Sequence, residues 1–171
     1  MSAHPRYVIC VCTANICRSP MAEALLRHAL AAEPQPLRSI RVTSAGVSAW
    51  PGVPITGHSA AVLKKVGLDM DRHQSRDLNP EIVSRALLIL CMTESHRRAI
   101  RAEFPDLKAP ILLMRELLPP PADPEVPDPY GSDIKTYEDT RDAIVEAIPS
   151  IVEYLRELTG KGMPPQVLSE A

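Results

Sequence analysis

Tyr7-Val8-Ile9-Cys10-Val11 is an unbroken apolar run near the start of the chain. A run of that length without a polar interruption suits a strand covered on both faces of a parallel sheet. The next residues narrow the fold further. Residues 12 to 19 read Cys12-Thr13-Ala14-Asn15-Ile16-Cys17-Arg18-Ser19, and Pro20 then opens a segment, Met21 to Leu30, rich in alanine and leucine. Ser19 is placed to cap a helix that has Pro20 at its first position. Buried strand, short loop and helix start therefore succeed one another. In that order the loop N–H groups and the positive end of the helix dipole converge on one point, which favours an anion.

The rest of the chain alternates in the same way. Ser39 to Ser44 reads as a second strand, and Ser59 to Val66, stopped by Gly67, as a short helix. Ala86 to Met92 is a third buried strand, followed by a helix over Thr93 to Glu103, and Ala109 to Met114 gives a fourth strand. Leu118 to Pro129 carries six prolines and must be an irregular surface loop, because proline neither donates to a ladder nor fits a helix interior. Ile144, Val145, Ile148, Ile151, Val152 and Leu155 recur at helical spacing, which predicts a long final helix over Lys135 to Leu158, kinked at Pro149 and ended by Gly160. This alternation defines an α/β three-layer sandwich of Rossmann-like type: a four-stranded, twisted parallel sheet with helices on both faces. Residues 1–160 make one domain, and 161–171 read as a flexible C-terminal tail.

Composition argues against several classes of partner. A net charge of -2 offers no electrostatic reason to expect nucleic acid or an anionic membrane. No apolar run reaches the length of a membrane span, and Met1 to Arg6 lacks the apolar region of a signal peptide, so the cytoplasm is the expected compartment. No exposed apolar stripe is evident, and a monomer is expected. The four cysteines, Cys10, Cys12, Cys17 and Cys91, do not form the evenly spread framework of a secreted domain. Three of them lie close together, but without a Cys-x2-Cys pair they make no zinc knuckle, and neither metal nor other cofactor is expected.

Cys12 occupies the first position of the anion cradle. The helix dipole and the Arg18 charge both favour its thiolate, a competent nucleophile at neutral pH. Arg18 adds a planar fork of donors matched to two oxygens of a phosphoryl group, a geometry lysine cannot copy. The Ser19 hydroxyl can donate to the sulfur, stabilising the thiolate and later easing its departure. These groups imply phosphoryl transfer onto sulfur and then to water, with Thr13, Ala14, Asn15, Ile16, Cys17, Arg18 and Ser19 wrapping the phosphate.

The stretch Val11 to Ala24 resembles the active-site loop of the low-molecular-weight protein tyrosine phosphatases. Thr43-Ser44-Ala45-Gly46 with Trp50, Gly67-Leu68 followed by His73 and Arg76, Ile89 to Ser95, and Asp128-Pro129-Tyr130 fall in that family's order and approximate spacing. The likeness spans residues 6 to 158 or so and implies the phosphatase I fold. It also implies that Asp128, rather than Asp123 or Glu125 of the same loop, is the general acid for the leaving oxygen and then the base for water. Asn15, Ser19, Ser44 and His73 match the residues that hold the loop in shape, and Ile16, Trp50 and Tyr130 match walls of the substrate cleft. The resemblance further implies that Cys17 forms a disulfide with Cys12 under oxidation, shielding the nucleophile from irreversible sulfinic acid. The substrate so implied is a phosphotyrosine protein or a small aryl phosphate, with inhibition by phosphate-like oxyanions.

Departures from the family pattern bear on these expectations. Many relatives carry glycine where this chain has Ala14, which would be strained if the position needed a positive φ. Tyr130 is followed by Gly131 rather than a second aromatic, which thins one cleft wall. Arsenate reductases of the same fold resemble the chain at Cys91 but need a shuttle cysteine seven residues on, where Arg98 stands. Protein arginine phosphatases tend to have threonine in place of Ile16, whose bulky apolar side chain favours a phenyl group. A phosphopeptide-binding module without turnover is the alternative of a different class. The presence of nucleophile, arginine, hydroxyl and acid together argues against it.

Overall fold

The computed structural model describes residues 6–160; the tail expected over 161–171 lies outside the described residues. The opening apolar run forms β1 (Tyr7–Cys12), buried at every position after Tyr7. It pairs in parallel with β2 (Arg41–Gly46) on one side and β3 (Ala86–Cys91) on the other, and β3 pairs in parallel with β4 (Ile111–Leu113). The resulting order is β2-β1-β3-β4. Register sets Cys12 beside Gly46 and Val11 beside Cys91, so β1, β2 and β3 end at nearly the same level.

Side chains alternate along a strand, so β1 feeds two cores. Val8 and Cys10 pack with Leu88 and Leu90 beneath α1 (Arg18–Ala31), α2 (Gly57–Lys64) and α5 (Ile134–Gly160). Ile9 and Val11 pack on the other face with Ile89, with Val83 of α3 (Pro80–Val83) and with Ile100 of α4 (Glu94–Glu103). The sequence-derived architecture, a four-stranded parallel sheet with helices on both faces, is the one observed. From β1 the chain moves to one side to make β2, then crosses back to make β3. Strand order therefore reverses at β1, and in an open α/β sheet the crevice beyond the carboxyl end at such a point is where ligands bind.

Element ends differ from expectation for local reasons. Helix α1 starts at Arg18, making Pro20 its third residue, where a backbone N–H would have had no helical partner anyway. Its capping residue, Cys17, makes no side-chain bond to the N–H groups of the first turn, and the Ser19 hydroxyl is used elsewhere. Strand β2 begins later than Ser39 because Leu37–Ser39 form a turn of 3-10 helix. Strand β4 is shorter than Ala109 to Met114, since Pro110 has no N–H and joins the ladder only through its carbonyl, which accepts from Ile89 at 3.0 Å. Helix α3 was not anticipated, although Asn79 capping Ile82 with Pro80 at the first helical position is its signature. Helix α5 continues through Pro149, its Ile144, Ile148, Ile151 and Leu155 stripe buried. Among the described residues, no helix is long and apolar enough to cross a membrane.

Candidate active site

The loop of residues 13–17 leaves the carboxyl end of β1 and enters α1. Its carbonyls are tied outward. Those of Cys12 and Thr13 accept from the N–H groups of Val47 and Ser48, both at 3.0 Å, and that of Ile16 accepts from Thr56 at 2.9 Å. The Asn15 carbonyl accepts from His73 Nε2 at 2.7 Å, so that nitrogen carries the proton. In contrast, none of the N–H groups of Thr13 to Cys17 donates to another group among the described residues. A turn with its carbonyls bound and its N–H groups unpaired is a cradle for an anion.

Two backbone features permit this shape. Asn15 has φ +59° and is the non-glycine residue with positive φ among the described residues. The left-handed conformation thus falls at Asn15, a residue type that tolerates it, and not at Ala14, whose methyl group is accommodated without strain. Gly46, at the end of β2, is required by close approach. A Cβ there would lie 2.4 Å from the Thr13 carbonyl oxygen.

A directed chain of hydrogen bonds ends at the Cys12 sulfur. Asn15 Oδ1 accepts from the Arg76 backbone N–H at 3.1 Å, which orients the amide so that Nδ2 donates both to Ser44 Oγ at 2.9 Å and to Ser19 Oγ at 2.8 Å. The Ser44 hydroxyl spends its proton on Glu23 Oε2 at 2.6 Å, and Glu23 is itself paired with Arg27. With Asn15 donating to it, Ser19 has its own proton free for Cys12 Sγ, 3.0 Å away. The relay therefore delivers a hydroxyl donor to a buried sulfur. Asn15 thus connects Ser19, Ser44 and His73, the first two through its side-chain amide and the last through its backbone carbonyl. Glu23, which anchors the far end, was missed; its only trace in the sequence is the spacing of four from Arg27.

Arg18 is buried, donating through Nη1 to the Val126 carbonyl at 2.9 Å, with Nη2 3.6 Å from Asp128 Oδ2. Its Nε is buried without a partner, a donor left for a phosphoryl oxygen. Asp128 is half-exposed, and its Oδ1 accepts from the Tyr130 N–H at 3.1 Å, which orients the carboxyl group. Cys12, Ile16, Arg18, Asp128 and Tyr130 line one cleft of about 280 Å³ with Thr13, Ala14 and Cys17. Tyr130 stands at the mouth, 68% exposed. Trp50 does not line that cleft, and its side chain is 80% exposed to solvent.

All four cysteines are unpaired. Burial pushes the Cys10 and Cys17 thiols up, and Cys91 to about 12, so these three stay protonated at neutral pH. Cys17 Sγ lies 3.5 Å from Tyr137 Oη and 3.6 Å from Thr56 Oγ1. His96 was also missed by sequence reasoning. It sits in the first turn of α4, its Nε2 2.9 Å from Thr13 Oγ1, with burial and the neighbouring Arg18 charge lowering its pKa to about 4.

A nucleophilic thiol over an anion cradle, with an arginine fork and a carboxyl group across the cleft, defines the site of a cysteine-dependent phosphatase. Residues 7–160 match the family model of the low molecular weight phosphotyrosine protein phosphatases. The chain belongs to that family, and it is an enzyme of the protein-tyrosine phosphatase class. It is 32% identical over 151 residues to the probable low molecular weight protein-tyrosine-phosphatase EpsP of Ralstonia solanacearum, covering 88% of this chain and 97% of that one. The solved arginine phosphatase of Geobacillus stearothermophilus superposes with a TM-score of 0.79 at 32% identity, covering 94% of this chain and 99% of its own. The tyrosine phosphatase Wzb of Escherichia coli K30, solved in complex with sulphate, gives 0.76 at 27% identity, with 87% and 97% covered.

Proposed function

We propose that the enzyme hydrolyses aryl phosphate monoesters, phosphotyrosine foremost, through a cysteinyl-phosphate intermediate. Cys12 Sγ attacks phosphorus while the Asp128 carboxyl group protonates the leaving phenoxide; Asp128 then takes a proton from the water that releases phosphate. Arg18 and the N–H groups of the loop hold the equatorial oxygens through both steps. The observation that carries this reading is the buried, unpartnered Nε of Arg18 in the cleft that Cys12 and Asp128 also line. The apolar side chain of Ile16 on the cleft wall supports a phenyl ring over a guanidinium as the leaving group. Phosphate-like oxyanions compete for the same cradle, as the sulphate complex of the Escherichia coli relative supports.

A nucleophilic thiol suits a reducing compartment, which supports the cytoplasm as its place of work. Under peroxide, Cys12 is oxidised to the sulfenic acid, with which the Cys17 thiol condenses to a disulfide and water. Para-nitrophenyl phosphate hydrolysis by the wild type, Cys12→Ser and Asp128→Ala tests the assignment. The serine variant is expected to be inactive, and the alanine variant to lose kcat by roughly 100-fold or more. A wild type that binds phosphate without turnover would instead indicate a phosphopeptide-binding module. Faster turnover of a phosphoarginine peptide than of a phosphotyrosine peptide would overturn the substrate preference.

A further inference from the structure

We propose that His96 is a positioning residue for the phosphate cradle: it holds Thr13 so that the Thr13 hydroxyl donates its proton to an oxygen of the bound phosphoryl group. The argument begins with the tautomer. The Thr93 backbone N–H lies 3.1 Å from His96 Nδ1, and an amide N–H can only donate, so Nδ1 is the acceptor. The ring is neutral at working pH, because burial and the Arg18 charge outweigh the attraction of Asp128. Its one proton is therefore on Nε2, which donates to Thr13 Oγ1 at 2.9 Å.

That bond occupies a lone pair of the Thr13 oxygen and leaves the hydroxyl proton to find an acceptor elsewhere. None of the described residues provides one, and Thr13 lies on the cleft wall, next in sequence to the nucleophile. Its backbone is pinned as well, the carbonyl accepting from Ser48 and resting against Gly46. Side chain and main chain are thus both held from outside the loop, and what remains free on Thr13 is one N–H and one O–H. Ser19 supplies a hydroxyl donor to the sulfur; Thr13 supplies one to the oxygens of the phosphoryl group. The capping bond of α4 and the cradle of α1 are coupled through a single imidazole.

The test uses para-nitrophenyl phosphate kinetics, with inorganic phosphate as competitive inhibitor, on Thr13→Val, His96→Asn, His96→Gln and the Thr13→Val/His96→Asn double variant. Asparagine can still accept from Thr93 but is too short to reach Thr13, whereas the glutamine amide reaches it. Thr13→Val and His96→Asn are each expected to lower kcat/KM about tenfold and to weaken phosphate inhibition by a similar factor. The double variant should lose no more than either single one, and His96→Gln should recover to within about threefold of wild type. Wild-type kcat/KM and phosphate affinity in Thr13→Val would overturn the proposal, whatever the folding of the His96 variants. So would losses that multiply in the double variant, or a glutamine variant no better than the asparagine one. The proposal rests on the phosphatase reading, and the two fail differently. Failure of that reading leaves the wild type without turnover, whereas failure of this proposal leaves an active wild type and an equally active Thr13→Val.

Discussion

Replacing Gly46 by alanine asks how closely the anion cradle is seated on β2. The added Cβ would lie 2.4 Å from the Thr13 carbonyl oxygen, 2.9 Å from Ala49 Cβ and 3.2 Å from the Ala14 carbonyl carbon. Ordinary contact begins at 3.4 Å, so the Thr13 carbonyl must retreat by 1 Å or so. It cannot swing aside as a side-chain end would, because it is main chain and accepts from the Ser48 N–H at 3.0 Å. Overpacking of this kind costs about 2 kcal/mol, which in a chain of this length lowers the thermal midpoint by roughly 4–8 °C. The same movement carries the Thr13 N–H away from the phosphoryl group, and a misplacement of about 1 Å costs on the order of 100-fold in rate. Thermal unfolding and para-nitrophenyl phosphate kinetics on Gly46→Ala measure both effects. Wild-type values in both assays would refute the reasoning. A lowered midpoint with unchanged kcat/KM would place the relief of the clash on the Ala49 side, away from the cradle.

Stability should depend on pH through His96. Its pKa falls from 6.5 to about 4 on folding, chiefly through burial, so the folded state binds fewer protons than the unfolded state between those values. The stabilisation is complete above pH 6.5 and is lost as pH falls toward 4; it is on the order of 2–3 kcal/mol. Urea unfolding at pH 7 and pH 4.5 should show the wild type losing about 2 kcal/mol more than His96→Asn between the two conditions, and equal losses would contradict the argument. Peroxide inactivation of the wild type should be reversed by dithiothreitol, and that of Cys17→Ser should be permanent. Equal recovery of the two proteins would remove Cys17 from any protective role.

What the sequence made legible was chemistry and periodicity. The apolar run of β1 could be read because burial on both faces of a parallel strand leaves no polar position, and Cys12 and Arg18 could be read because few residue types perform those tasks, whereas Asp128 was set apart from Asp123 and Glu125 of the same loop only by the resemblance of Asp128-Pro129-Tyr130 to the family motif. The supports were harder to see. His96 meets Thr13 across 83 residues, and the Val126 carbonyl meets Arg18 across 108. Neither partner belongs to a local pattern: a histidine three residues after a capping threonine looks complete as a helix start, and a backbone carbonyl carries no residue code at all. Ala14 shows the complementary difficulty. An expected glycine raised the question of a positive φ, but which loop residue takes that φ depends on where the carbonyls are tied. Here His73, Thr56 and Ser48 pull them outward, and the left-handed turn falls on Asn15. Asn15 is thereby asked to do two things at once, to turn the chain and to donate to Ser19 and Ser44. An Asn15→Gly change would satisfy the first and abolish the second, which is why the residue at this turn is a polar side chain and not the glycine that backbone geometry alone would favour.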